Sequence, residues 1–158
     1  MKLKTFVKGA AISLAVAAVS SAQADITLRH ALTGETLDMS FAKKGGNTDK
    51  FKQFMQTGKN PYNGDAEAVK KGESLYMTGC SGCHGHEAEG KLGPGLADDY
   101  WTYPRNASDV GLFEVLFGGA NGMMGPQYVA FNTDEMLHIM AFIRHIYKGD
   151  PKKAEWLK

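Results

Sequence analysis

The residues with the clearest chemical purpose stand together at Cys80-Ser81-Gly82-Cys83-His84. Two thiols separated by two residues and followed at once by an imidazole have the spacing used for covalent attachment of a c-type haem. The sulfurs can reach the two vinyl groups while His84 addresses the iron from the same segment. Other readings of the thiols fit less well. A zinc site calls for more Cys or His ligands at matching spacing, and the sequence holds no second cluster. A thioredoxin-like dithiol sits on an alternating strand and helix pattern, which is also missing.

A histidine ligand needs its second ring N–H held by an acceptor, since that bond fixes the ring and raises its basicity. Gly93-Pro94-Gly95-Leu96 lies ten residues on and is the nearest candidate segment. The sixth ligand must come from elsewhere in the chain. Gly118-Gly119-Ala120-Asn121-Gly122-Met123-Met124-Gly125-Pro126 is a loop whose glycines let backbone approach closely and from which a thioether can extend to iron. Met124 is the first candidate and Met123 the alternative, whereas Met55, Met77, Met136 and Met140 read as core fillers. His/Met ligation raises the potential and leaves no open position, which suits single-electron transfer and not enzymatic or gas-sensing chemistry. No acid/base pair accompanies the methionine, which weakens the enzyme reading further. His138 and His145 are expected at the surface or edge of the last helix, His86 in a loop and His30 in the N-terminal extension, and none is expected to bind iron.

The elements that must position these groups are mostly helical. Asp49 to Thr57 shows Phe51, Phe54 and Met55 on one face, the stripe of a short helix that clasps the main domain. Asp65 is a candidate N-cap for a helix running toward Thr78, with Ala68, Val69, Gly72, Leu75 and Tyr76 on one side. Ser108 caps a further short helix with Val110, Phe113, Leu116 and Phe117 inward. Asn132 and Glu135 form a candidate capping box for the last helix, whose stripe is Met136, Ile139, Met140, Ile143, Ile146 and Tyr147. Between them lie the glycine-rich loop 85–97 and an aromatic stretch holding Tyr100, Trp101 and Tyr103. Residues 25–63 read as an irregular extension with a hairpin around Thr33-Gly34-Glu35. Loops of this length fill a core poorly by themselves, but they can close over a large flat apolar cofactor.

Residues 1–24 do not belong to this domain. Lys2, Lys4 and Lys8 precede an apolar run from Ala10 to Val19, and Ala22-Gln23-Ala24 is a small-x-small pattern that a signal peptidase accepts. The run is about half of what a membrane-spanning helix requires. Export to the periplasm with cleavage after Ala24 is therefore expected, giving a mature chain with no membrane span. Removing the three signal lysines leaves 15 basic against 17 acidic side chains, a net charge of −2, too mild to argue for nucleic acid. The resulting division is a signal peptide at 1–24, an extension at 25–63 and a haem domain at 64–158.

The stretch from Gly72 to Trp156 resembles the cytochrome c-L family, the periplasmic electron acceptors of pyrroloquinoline-quinone methanol dehydrogenases in methylotrophic bacteria. The resemblance is carried by CSGCHGHEAEGKLGPGL (80–96), YWTYP (100–104), DVGLF (109–113), GGANGMMGP (118–126) and DEMLHIMAFIRHIYKGDP (134–151). It implies an all-α, class I cytochrome c-like fold wrapped around one covalent haem c, with Cys80, Cys83 and His84 attaching it. It also implies that Pro94 offers its carbonyl to His84 and that Met124, within the family's Met-Gly-Pro, is the sixth ligand. The implied donor is the methanol dehydrogenase, in a calcium- or lanthanide-dependent form, and the acceptor a downstream c-type cytochrome or oxidase. The carrier itself is expected to be monomeric. The chain departs from the family in charge, because relatives are usually clearly acidic.

Overall fold

A computed structural model describes residues 25–158, and the segment read as a signal peptide lies outside the described residues. Among the described residues five α-helices carry the architecture: α1 (Asp49–Thr57), α2 (Ala66–Gly79), α3 (Ser81–His84), α4 (Asp109–Gly118) and α5 (Thr133–His145). Their ends follow from local chemistry. Thr48 caps α1 by accepting from the Phe51 N–H at 3.1 Å, and Gly58 closes it in the left-handed conformation at φ +70°. Asp65 accepts from the Ala68 N–H at 2.8 Å to start α2, and Ser108 accepts from the Gly111 N–H at 3.1 Å to start α4. At α5 both arms of the capping box form, Asn132 Oδ1 taking the Glu135 N–H at 2.9 Å and Glu135 returning to the Asn132 N–H at 2.8 Å.

Helices α2 and α5 form the principal helix pair. Gly72 permits their close crossing, since a Cβ there would run into the His138 carbonyl of α5. Tyr76 and Phe142 pack beside it with ring centroids 5.1 Å apart. Among the described residues extended pairing is limited to two isolated bridges, Arg29 with Thr36 and Lys43 with Asn132. The expected hairpin is present in minimal form: the Arg29–Thr36 bridge is antiparallel and is flanked by the His30 N–H donating to Glu35 O at 2.7 Å and the Leu37 N–H donating to Leu28 O at 2.9 Å.

The extension is more than a clasp. Leu28 and Phe54 are buried in the common core, where Phe54 packs tilted against Phe113 of α4 with ring centroids 5.1 Å apart. Burying such a ring contributes about 1.5–3 kcal/mol. This covering also explains why α4 is buried on nearly all sides instead of showing a single inward stripe. Phe113, Leu116 and Phe117 are buried as expected, while Val110 is only half-buried.

Polar groups brace the interior. Asp109 and Arg144 form a buried ion pair at 3.0 Å. Asp109 also accepts from the Asn60 N–H at 2.8 Å, and Arg144 donates to the Asn106 and Ser108 carbonyls at 2.9 and 2.8 Å. The guanidinium lies 3.7 Å from the centre of the Trp156 ring, a cation–π contact that reaches the C-terminal tail. Glu114, also buried, takes two hydrogen bonds from Arg105 and one from the Arg29 N–H, tying the extension to α4.

His138 departs from expectation. It is buried and not at the helix edge, its Nδ1 lying 3.2 Å from Ala68 O while its ring stacks on Tyr62 at 4.0 Å. Asp134 lies 3.5 Å from its other nitrogen and accepts from Tyr62 and Thr48. The extension covers what would otherwise be an exposed face of α5. His145, in contrast, is exposed as expected.

Candidate haem site

The single turn of α3 presents the attachment motif. The Cys83 and His84 N–H groups both donate to Cys80 O, at 3.1 and 2.9 Å, and this turn directs Cys80, Cys83 and His84 into one cavity of about 550 Å³. Burial, with a further contribution from Cys83, pushes the Cys80 thiol up to about 11. A thiol working in redox exchange requires the opposite shift, toward thiolate at neutral pH. The environment therefore suits a sulfur consumed in a thioether.

His84 is held tightly. Its Nδ1 lies 2.8 Å from Pro94 O, which leaves Nε2 as the nitrogen available to a metal. The loop that supplies Pro94 is stitched back onto the motif, the Gly93 N–H donating to Cys83 O at 2.9 Å and the Gly90 N–H to His84 O at 2.7 Å. Gly93 is required by contact, because a Cβ there would stand 2.7 Å from His84 Cε1. From α2, the buried Tyr76 donates its hydroxyl to Gly85 O at 2.8 Å, and burial raises its pKa so that it stays protonated.

The methionine loop reaches the same cavity from the C-terminal end of α4. Met124 is half-buried and packs against the core, whereas Met123 is 89% exposed. Gly119, at φ +84°, lets the loop fold back so closely that a Cβ would meet Met124 O at 2.9 Å. The Ala120 N–H closes that turn on Met124 O at 2.8 Å. His30, expected merely to lie in the extension, places Nε2 3.1 Å from Gly118 O at the base of the loop. His86 is exposed.

The remaining lining is mainly apolar or aromatic, with Leu112, Val115, Leu116 and Ile143 buried and Leu92, Tyr100 and Met123 exposed at the mouth, and Thr102, Asn106, Asn121 and Gln127 are its polar members. No Asp, Glu, Lys or Arg among the described residues lines it. Trp101 Nε1 and Asn106 Oδ1 are buried without a protein partner, and both residues line the cavity. Unpaired buried polar atoms are rare, and these fit a large apolar cofactor with polar substituents at one edge. The sequence reading missed the Trp101–Asn106 side, although the run of aromatics at 100–103 marked the segment.

A cytochrome c family profile matches residues 69–146. The chain is 55% identical over 139 residues to cytochrome c-L of Methylorubrum extorquens, covering 87% of this chain and 71% of that protein. Two crystal structures are also similar. Cytochrome cL from the marine methylotroph Methylophaga aminisulfidivorans superposes with a TM-score of 0.82 at 59% identity, over 84% of this chain and 89% of that one. Cytochrome cL from Hyphomicrobium denitrificans gives 0.81 at 54%, over 85% and 82%. With attachment motif, braced imidazole and thioether loop around one apolar cavity, the chain belongs to the cytochrome c-L family, as an electron-transfer protein with a covalent haem c.

Proposed function

We propose that this chain is a periplasmic carrier that takes electrons one at a time from a pyrroloquinoline-quinone methanol dehydrogenase and passes them to a downstream c-type cytochrome or oxidase. In this reading Cys80 and Cys83 form the thioethers, His84 is one axial ligand with Pro94 as its hydrogen-bond partner, and Met124 is the other. The observation that carries it is the convergence of a carbonyl-braced His84 and an inward Met124 on one uncharged cavity. When bound, the haem supplies a one-electron couple whose potential is raised by His/Met ligation.

The chain's own residues orient the imidazole, exclude water and leave an edge open to partners. Leu92, Tyr100 and Met123 ring that edge with exposures of 82%, 73% and 89%. A small apolar contact of this kind favours brief docking and fast release over tight binding. Export is supported by the basic front end, short apolar run and Ala22-Gln23-Ala24. No helix among the described residues is long and apolar enough to cross a membrane.

Stopped-flow mixing of the oxidised protein with methanol dehydrogenase and methanol tests the donor. Reduction well above the rate for an unrelated periplasmic cytochrome is expected. Equal rates would remove the dehydrogenase as donor and leave a carrier for a different one.

A further inference from the structure

The aromatic stretch Tyr100-Trp101-Thr102-Tyr103-Pro104 has one member whose contact bears directly on the methionine loop. We propose that Tyr103 is a positioning residue for the axial ligand: its hydroxyl tethers the tip of the loop that carries Met124 and so slows withdrawal of the thioether. This rests on Met124 being the sixth ligand.

Between Gly119 and Met124 the loop satisfies itself almost entirely. Ala120 donates to Met124 O at 2.8 Å, and the Gly122 N–H donates to its neighbour's side chain, Asn121 Oδ1, at 3.0 Å. Gly119 and Gly122 both adopt positive φ, +84° and +80°, where glycine confers freedom as well as shape. A loop built this way has a large ordering entropy and little buried surface to offset it. Met123 and Asn121 are exposed, so the tip gains little from packing.

One hydrogen bond from this tip reaches a distant part of the chain among the described residues. The Asn121 N–H donates to Tyr103 Oη at 2.9 Å, across 18 positions of sequence. Tyr103 is half-buried and lines the same cavity as Met124. Its backbone is anchored in turn. Pro104 opens the 3-10 turn Pro104–Ala107, and the Asn106 N–H donates to Tyr103 O at 2.9 Å. The next residue, Arg105, is paired with buried Glu114 of α4 at 2.8 Å. His30 holds the base of the loop at Gly118 O while Tyr103 holds its tip, so the loop is pinned at two points. Since the hydroxyl accepts from Asn121, its own hydrogen stays free to donate elsewhere.

The test uses the mature holoprotein. Tyr103→Phe keeps the ring and removes the tether. The readouts are the sulfur-to-iron charge-transfer band at rest and the rate at which imidazole enters the ferric protein, which requires methionine to leave. A single hydrogen bond of ordinary strength corresponds to roughly a two- to tenfold change. The expected result is a band that persists and imidazole entry about two- to tenfold faster. Tyr147→Phe, which loses a comparable hydroxyl bond to Asp150 O at 3.0 Å outside the loop, should leave the rate unchanged. An unaltered rate in Tyr103→Phe, or the same rise in Tyr147→Phe, would overturn the proposal. Met124→Ala separates the two readings. If that variant keeps the band, the ligand assignment fails; if it loses the band while Tyr103→Phe behaves as wild type, the tether alone fails.

Discussion

Around His84 the backbone closes on itself through short bonds from the Gly90 and Gly93 N–H groups, the Pro94 carbonyl accepts from the imidazole, and a buried tyrosine from α2 secures the following residue. Around Met124 the chain is a glycine loop pinned at its base and tip, with an exposed methionine beside the inward one. The first region owes its order to residues within about ten positions of the motif and to α2. The second depends on side chains contributed by remote segments. One cavity thus has a side organised locally and a side organised by tertiary structure, and the second should yield first under stress.

The largest effect belongs to the locally organised side. Replacing both Cys80 and Cys83 by alanine should abolish covalent attachment, so that acid-acetone extraction removes the haem completely from any protein recovered. Retention of the haem through that extraction would mean the motif is not the anchor. Next comes Met124→Ala, which should eliminate the sulfur-to-iron band, lower the potential and convert a ferrous protein inert to carbon monoxide into one that binds it rapidly. The imidazole of His84 should remain in place.

Asp109→Ala sharpens the contrast. It strips the counterion from buried Arg144, and breaking a buried pair in this way costs about 3–5 kcal/mol. Asp109 begins α4, which launches the methionine loop. In urea the charge-transfer band should therefore disappear at a lower concentration than the far-ultraviolet helical signal, with the gap wider than in wild type. Coincident transitions would mean that the two sides of the cavity fail together.

The smallest effect concerns His138, which is buried between α5, α2 and Tyr62, away from the cavity lining. Burial is the main cause holding its imidazole below the usual range, against the raising influence of the Ala68 carbonyl and Asp134. An unfolded histidine titrates near about 6.5, so the unfolded chain binds the proton first as pH falls. The stability from the neutral buried ring is present above that value and is lost on acidification toward the lower folded value, by at most about 1.4 kcal/mol per pH unit. Thermal unfolding of His138→Gln should lack that component between pH 7 and 5. An identical pH profile in wild type and variant would remove the assignment.

The same division decides what could be read before the fold was known. Cys80 to His84, the Ser108 cap and the Asn132–Glu135 box were legible because each works over three or four residues. Helix α2 likewise showed its buried face at Ala68, Val69, Gly72 and Tyr76. His138 was misjudged because its burial depends on Tyr62 and Ala68, the latter 70 positions away. Glu114 and Arg144 gave no local sign of being interior, since Glu114 meets the Arg29 N–H across 85 positions and Arg144 meets Asp109 across 35. Tyr103 stood in a conspicuous aromatic run, yet nothing in that run distinguished the residue that touches the loop from Tyr100, which projects into solvent.

Among the described residues no formally charged side chain lines the cavity, and this has an electrical consequence. A non-polar shell sets the local dielectric response and hence the potential of what it encloses. With no ionic side chain in that lining to swing around, the surroundings have less to rearrange when one electron arrives or departs. Such a lining keeps the reorganisation energy small, and it disfavours the more highly charged oxidised form by withholding the solvation that water would give it.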